Sequence, residues 1–326
     1  MKRKNDSILD NSIENNNREE LINLIIEHSP LAYVISDCEF NILYSNNYIE
    51  NITGYSESEL LGKKCFDFFG EGQICPGCPV QKCMKSGKLE TLLKLENNKM
   101  GEEKYMEVKA IPLFGENGKI SRVLEIVMDV TEEVRLQIQI KNDYYKMIEM
   151  LSSIIEIKDA YTANHSKNVK DICVLIAKKM NLSFKQKNEL MIAASLHDIG
   201  KVGIFDHILT KPSALNRDER IIVESHAILG EVILEKFESF KNIKVLVRHH
   251  HERYDGTGYP DGLKGNEIPL ESRIITVADA YDAMASNRAY RKALPKEQII
   301  QEFIRCSGTQ FDPEIVEVLI GIIEYD

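Results

Sequence analysis

Apolar and polar residues follow two different rhythms along this chain. Up to about residue 130 the apolar positions come in short runs closed by turn formers, and beyond it they recur every three or four residues. The opening stretch is Asn-rich, charged and aperiodic, so residues 1–18 are expected to be a frayed terminus. From Leu21, LINLIIEHSP has a helical pattern. LAYVISDCEFNILYSN then reads as two short strands separated by the turn-prone Asp37–Asn41, and NNYIENITGYSESELLGKK as short helices punctuated by Gly54 and Gly62. KYMEVKAIPLF and ISRVLEIVMDV have strand composition, with Glu116, Asn117 and Gly118 between them as a hairpin turn. Two strands, small helices and a long hairpin predict an α+β unit over 19–133.

Residues 131–158 lack Pro and Gly and open on a Thr followed by two acids, a good helix start. Ile140, Met147 and Ile154 recur at seven, with Tyr144 and Leu151 in the same register. This spacing suits either a helix packed on its own domain or a parallel dimer seam, and a connecting helix is expected over 134–158. Everything after it reads helical, with Gly, Pro and Asp between the runs, which predicts an all-α domain over 159–326. The chain is therefore expected to be multidomain: an α+β unit, a connecting helix, then a helical unit.

A chain of 326 residues with 43% hydrophobic and 28% charged residues can bury two cores. No apolar run approaches bilayer length and the start is polar, so a cytoplasmic protein without membrane contact is expected. A formal net charge of -10 argues against DNA as a partner, because phosphate-backbone binding needs an excess of Lys and Arg. Small anionic ligands held by local cations stay open.

The histidines change the picture most. Seven of the eight lie in the helical half, among them His165 before one helix, His197 beside Asp198, His226 in another helix, and the run His249, His250, His251, with Asp279 following. Separate helices can aim such imidazoles and carboxylates at a shared centre, as bundle cores do for paired metal ions. Asp198 ends the apolar stretch LMIAASLHD, where a carboxylate costs several kcal/mol unless it is paired or bound to a cation. Mixed His and carboxylate ligation without thiolate suits iron or manganese as well as zinc.

HDIGK at 197–201, HHHERYDGTGYP at 249–260, VADAYDAM around Asp279, RAYR at 288–291 and GTQFDP at 308–313 together resemble the HD-GYP branch of the HD hydrolases, associated with cyclic di-GMP hydrolysis. The resemblance implies one metal held by His165, His197, Asp198 and Asp279 and a second by Asp198, His226, His250 and His251, with Asp198 bridging and His249 outside the set. Some members hold a third ion through a Glu where this chain has Tyr161, so two ions are expected. Lys201 is placed to grip a phosphodiester oxygen, Arg288 and Arg291 offer a second cationic patch, and the Gly258-Tyr259-Pro260 loop is expected to shape the substrate site. This sequence has Ala227 and Ala289 where the family often has Pro; neither is a ligand position. In the first half, SPLAYVISD, ITGYS, ELLGK and MDVTEE resemble a PAS sensor domain over about Leu21 to Glu133.

Within that half, Cys65, Cys75, Cys78 and Cys83 fall close together, with Gly77 and Pro79 supplying a tight turn. A zinc or iron-sulfur site, a reversible Cys75–Cys78 disulfide, and no cofactor are three open readings. Cys38, Cys173 and Cys306 read as small buried hydrophobes. The function the resemblance implies is metal-dependent hydrolysis of cyclic di-GMP to pGpG, with onward cleavage to GMP left open, in a sensor-regulated homodimer joined through the connecting helix. The alternatives are a non-catalytic nucleotide-binding scaffold, or an HD hydrolase of another nucleotide such as cyclic GMP-AMP.

Overall fold

The computed structural model describes residues 18–70, 72–158, 164–287 and 292–325. The chain divides into two compact units, residues 1–141 and 142–326, and the division falls inside one long helix.

In the first unit a helix over residues 18–27 (α1) leads into a five-stranded antiparallel sheet of order β2-β1-β5-β4-β3. Its strands are β1 (Ala32–Asp37), β2 (Ile42–Ser45), β3 (Glu90–Asn97), β4 (Glu103–Phe114) and β5 (Ile120–Asp129). Strand alternation puts Ala32 and Val34 of β1, Met106 and Val108 of β4, and Val127 of β5 on one face. The short helices α2 (Tyr48–Thr53), α3 (Glu57–Leu60) and α4 (Cys65–Phe69) cover that face with Ile49, Ile52, Leu60 and Cys65. Gly54 takes the left-handed conformation that ends α2, at φ 78°. The helix α5 (Pro79–Ser86) closes a second, smaller cluster around Cys83 and Val123.

The sequence reading finds four of these strands and misses β3. The reason is its inverted polarity. Lys94 pairs with Met106 and Glu96 with Lys104, so β3 turns charged residues to the covered side, while Leu93 and Leu95 are exposed on the other.

The helix α6 (Thr131–Lys158) starts directly after β5. Its start is tied to the sheet: the Thr131 hydroxyl accepts from the Tyr105 amide at 2.9 Å and donates to Asp129 at 2.5 Å. From Asn142 onward it belongs to the second unit, where Ile148 and Ile155 are buried and Tyr144 and Leu151 pack against the same core. Burying each such aliphatic side chain contributes about 1.5–3 kcal/mol. Ile140, Met147 and Ile154 stay exposed, as do Leu136, Met150 and Ile157. The two halves of the sequence register thus have different fates, one in the core and one at the surface.

The rest of the second unit is helical: α7 (His165–Lys179), α8 (Phe184–Leu196), α9 (Asp206–Leu209), α10 (Arg217–Glu224), α11 (His226–Leu234), α12 (Lys241–Arg248), α13 (Leu270–Ala285), α14 (Lys296–Cys306) and α15 (Pro313–Tyr325). Helices α7, α8, α12 and α13 surround a core that includes Val169, Leu190, Val247 and Ile274. No helix among the described residues is long and apolar enough to cross a membrane.

Candidate metal centre

Five segments of the helical unit end or bend at one place. His165 opens α7, His197 and Asp198 close α8, His226 opens α11, His250 and His251 follow the end of α12, and Asp279 lies within α13. Two close backbone approaches bring them together. A Cβ on Gly200 would stand 1.8 Å from the His226 carbonyl oxygen, so only glycine lets the turn after Asp198 lie against α11. A Cβ on Gly258 would stand 2.3 Å from the Arg253 amide, which holds the Tyr259-Pro260 loop over the end of α12. Helix α13 secures that end as well: Thr276 donates to the His250 carbonyl at 2.6 Å, and Ser272 to that of Leu246 at 3.0 Å.

The ligand-type atoms fall into two groups, each within 4.8 Å: Asp198, His226, His250 and His251, and His165, His197 and Asp279. Asp198 spans both. Its Oδ2 lies 3.4 Å from His197 Nε2, and its Oδ1 3.5 Å from His226 Nε2. Lys201 Nζ approaches Oδ2 at 2.7 Å. Burial alone would raise the Asp198 carboxyl, but the charges of Lys201 and His197 hold it well below the usual carboxylate range.

Whether the pocket fits cations is decided by the imidazoles. Nδ1 of His226 donates to the Val223 carbonyl at 2.6 Å, and Nδ1 of His250 to that of Val247 at 2.6 Å. A neutral ring so tied presents a lone pair at Nε2, and these two nitrogens face each other at 3.3 Å. Burial lowers both imidazoles, His250 well below its ordinary value, so neither readily supplies the proton that would relieve the opposition. His251 falls to about 3 by burial and the neighbouring His226. Neutral imidazoles around shared carboxylates are a donor set for divalent ions.

In the other group a carboxylate backs the histidine. His165 Nδ1 donates to Asp282 Oδ2 at 2.7 Å, and its Nε2 lies 3.3 Å from Asp279. Burial would lower this imidazole, yet Asp279 and Asp282 push it up to about 10. Asn168 and Ser286 hold the other oxygen of Asp282. Asp282 escaped the sequence reading, although its place three residues after Asp279 puts it on the same helix face.

The remaining site residues are placed as follows. The Tyr259 ring lies 4.9 Å from that of His251. His249 takes part in neither group: its Nε2 meets Asp261 at 2.9 Å, and Asp261 is held by Arg248 at 2.7 and 2.8 Å. Glu252 accepts from the amides of Asp261, Gly262 and Leu263. Although His249, Glu252 and Asp261 lie within 4.8 Å of one another, their hydrogen bonds brace the loop. Arg288, Arg291, Ala289 and Tyr161 lie outside the described residues. Among the described residues no metal-competent group of three contains a cysteine; Cys65, Cys75, Cys78 and Cys83 are free thiols. Cys75 donates to the Phe69 carbonyl at 3.0 Å, and Cys83 packs with Val80 and Val123. Of the cysteines read as buried hydrophobes, Cys173 and Cys306 are buried and Cys38 is exposed. Cys38 sits in the turn after β1, where its thiol donates to the Ile120 carbonyl at 3.3 Å.

A family model described as an HD domain matches residues 149–315, and one described as a PAS domain matches residues 30–132. A cyclic di-GMP phosphodiesterase of Thermotoga maritima is 39% identical over 180 residues, which are 55% of this chain and 49% of that one. A 3'3'-cGAMP-specific phosphodiesterase 3 of Vibrio cholerae is 40% identical over 173 residues, 53% of this chain and 38% of that one. The cyclic di-GMP phosphodiesterase response regulator RpfG of Xanthomonas campestris is 37% identical over 175 residues, 53% of this chain and 46% of that one. The chain spans about half or less of the length of these curated relatives.

Proposed function

The chain belongs to the HD-domain family, with a PAS domain in its first half, and on that premise we propose that it is a metal-dependent phosphodiesterase that opens cyclic di-GMP to pGpG and GMP. The observation that carries this reading is Asp198, one oxygen of which lies 3.4 Å from His197 Nε2 and the other 3.5 Å from His226 Nε2, in two separate groups of ligand-type side chains. His165, His197, Asp198 and Asp279 would hold one divalent ion, iron or manganese, and Asp198, His226, His250 and His251 a second. Bound there, the pair supplies Lewis-acid activation of water and neutralises charge developing on the phosphodiester.

The chain's own residues do the rest. Carbonyl hydrogen bonds at Nδ1 fix the tautomers of His197, His226 and His250, so their Nε2 atoms stay available. Lys201 carries its ammonium to the edge of the centre, 2.7 Å from Asp198 Oδ2, where in this reading its positive charge faces the phosphodiester. Burial holds the Tyr259 phenol above its usual range, so it remains an O–H donor at neutral pH beside His251. Gly258 and Pro260 keep that ring in place, and Arg288 and Arg291 complete the substrate contacts in this reading.

The relative specific for 3'3'-cGAMP favours a second substrate, the mixed cyclic dinucleotide. Incubating the anaerobically prepared, manganese- or iron-loaded protein with each dinucleotide and resolving the products tests both. Release of pGpG from cyclic di-GMP at the higher kcat/KM supports the proposal. Preference for the mixed dinucleotide would move the assignment, and no cleavage of either with metal bound would refute it.

The exposed Leu136, Ile140, Met147, Met150, Ile154 and Ile157 alternate at threes and fours around Asp143 along α6. This spacing supports a parallel dimer seam, and a homodimer through this helix is part of the proposal.

A further inference from the structure

The last turn of α6 holds the backbone at two ligand-bearing segments, the start of α7 and the turn after Asp198. Asn164, at the entry to α7, sits at φ 69°, in the left-handed region that a non-glycine residue seldom occupies. Its side chain makes no capping hydrogen bond to α7. The cap comes instead from α6: Glu156 accepts from the Ser166 amide through Oε1 at 3.0 Å and from the Asn164 amide through Oε2 at 3.3 Å. One carboxylate thus grips the residues before and after His165, and its charge lies where the α7 dipole favours it.

Two residues on, Lys158 Nζ donates to the carbonyls of Val202 and Ile204, each at 2.7 Å, and lies 3.4 Å from Asp206. Val202 and Ile204 belong to the turn that carries Asp198 and Lys201 into the rest of the fold. The two segments that α6 holds are therefore those presenting His165 and Asp198. The same helix is tied at its other end to β4 and β5 through Thr131.

We propose that Glu156 and Lys158 are positioning residues of the metal centre, fixing His165 and the Asp198 turn to the register of the connecting helix. The inference rests on the metal reading given above. A shift or rotation of α6 would then act on ligand placement first, and on the helical core only afterwards.

The test uses the full chain, with Mn(II) alone as the probe. Equilibrium dialysis measures stoichiometry and affinity for wild type, Glu156→Ala and Glu156→Gln, with thermal unfolding in parallel. Wild type is expected to bind two ions. Glu156→Ala should keep one at wild-type affinity and weaken the other by about 10-fold or more. Glu156→Gln, which retains one acceptor oxygen, should recover part of the loss. A purely structural role would lower the melting temperature and leave both affinities as they are, and that result would overturn the proposal. Lys158→Met gives a second, independent reading: kcat should fall while KM holds, and an unchanged kcat would count against the clamp. A wild-type chain that takes up no manganese would remove the metal reading, and the proposal with it.

Discussion

Replacing Glu125 by glutamine should remove most of the pH dependence of the PAS unit's stability between about pH 5 and pH 8. Glu125 lies on β5, on the covered face of the sheet, and lines a cavity of about 40 Å³ together with Val34, Ile49, Cys65, Met106 and Val127. Ser36 donates to one carboxyl oxygen at 3.3 Å. Burial raises this carboxyl from an ordinary 4.5 to about 7, against the smaller opposing effects of Lys94 and Ser36. The fold therefore favours the protonated acid. Its contribution is complete below pH 4.5 and is lost as pH rises through about 7, where the folded carboxyl must ionise. At about 1.4 kcal/mol for each pH unit between those values, the loss is of the order of 3 kcal/mol. Glutamine keeps the shape and a hydrogen-bonding group but cannot ionise. Urea unfolding of wild type and Glu125→Gln, followed by circular dichroism at pH 5 and pH 8, measures the difference. The variant should gain relative to wild type at the higher pH by a few kcal/mol. Equal pH dependence in the two proteins would refute the argument and mean that Glu125 is solvated or paired at neutral pH.

Three further outcomes follow from the helical unit. Gly200→Ala forces a methyl into the His226 carbonyl, so Asp198 and His226 must separate; turnover should fall by about 10²-fold, measured as kcat with metal in excess. Asp282→Asn weakens the support of His165 and should lower metal affinity at that site by about 10- to 100-fold, read by competition with a chelator. Ile154→Glu places a charge on the exposed stripe of α6 without touching the buried Ile148 and Ile155, and should convert a dimer to a monomer by light scattering.

The sequence and the structure agree where chemistry and period reinforce one another. The histidines and aspartates of the centre are legible because several ionisable residues close helical runs that are otherwise apolar. The five strands are less evenly legible. β1, β2, β4 and β5 carry their apolar residues on the covered side or sit beside clear turn signals, whereas β3 presents Lys94 and Glu96 inward and hides from any search for hydrophobic alternation. Asp282 and Glu156 are invisible for another reason. Their roles are hydrogen bonds to His165 and to its flanking amides, and nothing in residue type or spacing separates them from solvated surface acids. The period of seven along α6 was real but ambiguous: Tyr144 and Leu151 serve the core, while Ile140, Met147 and Ile154 do not. The spacing of Cys65, Cys75, Cys78 and Cys83 left a metal site, a disulfide and no cofactor open, and among the described residues no metal-competent group of three includes any of them.

In the proposed mechanism Asp198 joins two cation sites into one centre. Electron paramagnetic resonance of the manganese-loaded full chain tests it most directly, because two Mn(II) ions sharing a carboxylate are magnetically coupled. Wild type should give a coupled-pair spectrum that Asp198→Ala abolishes. A spectrum of isolated Mn(II) in the loaded wild-type protein would contradict it.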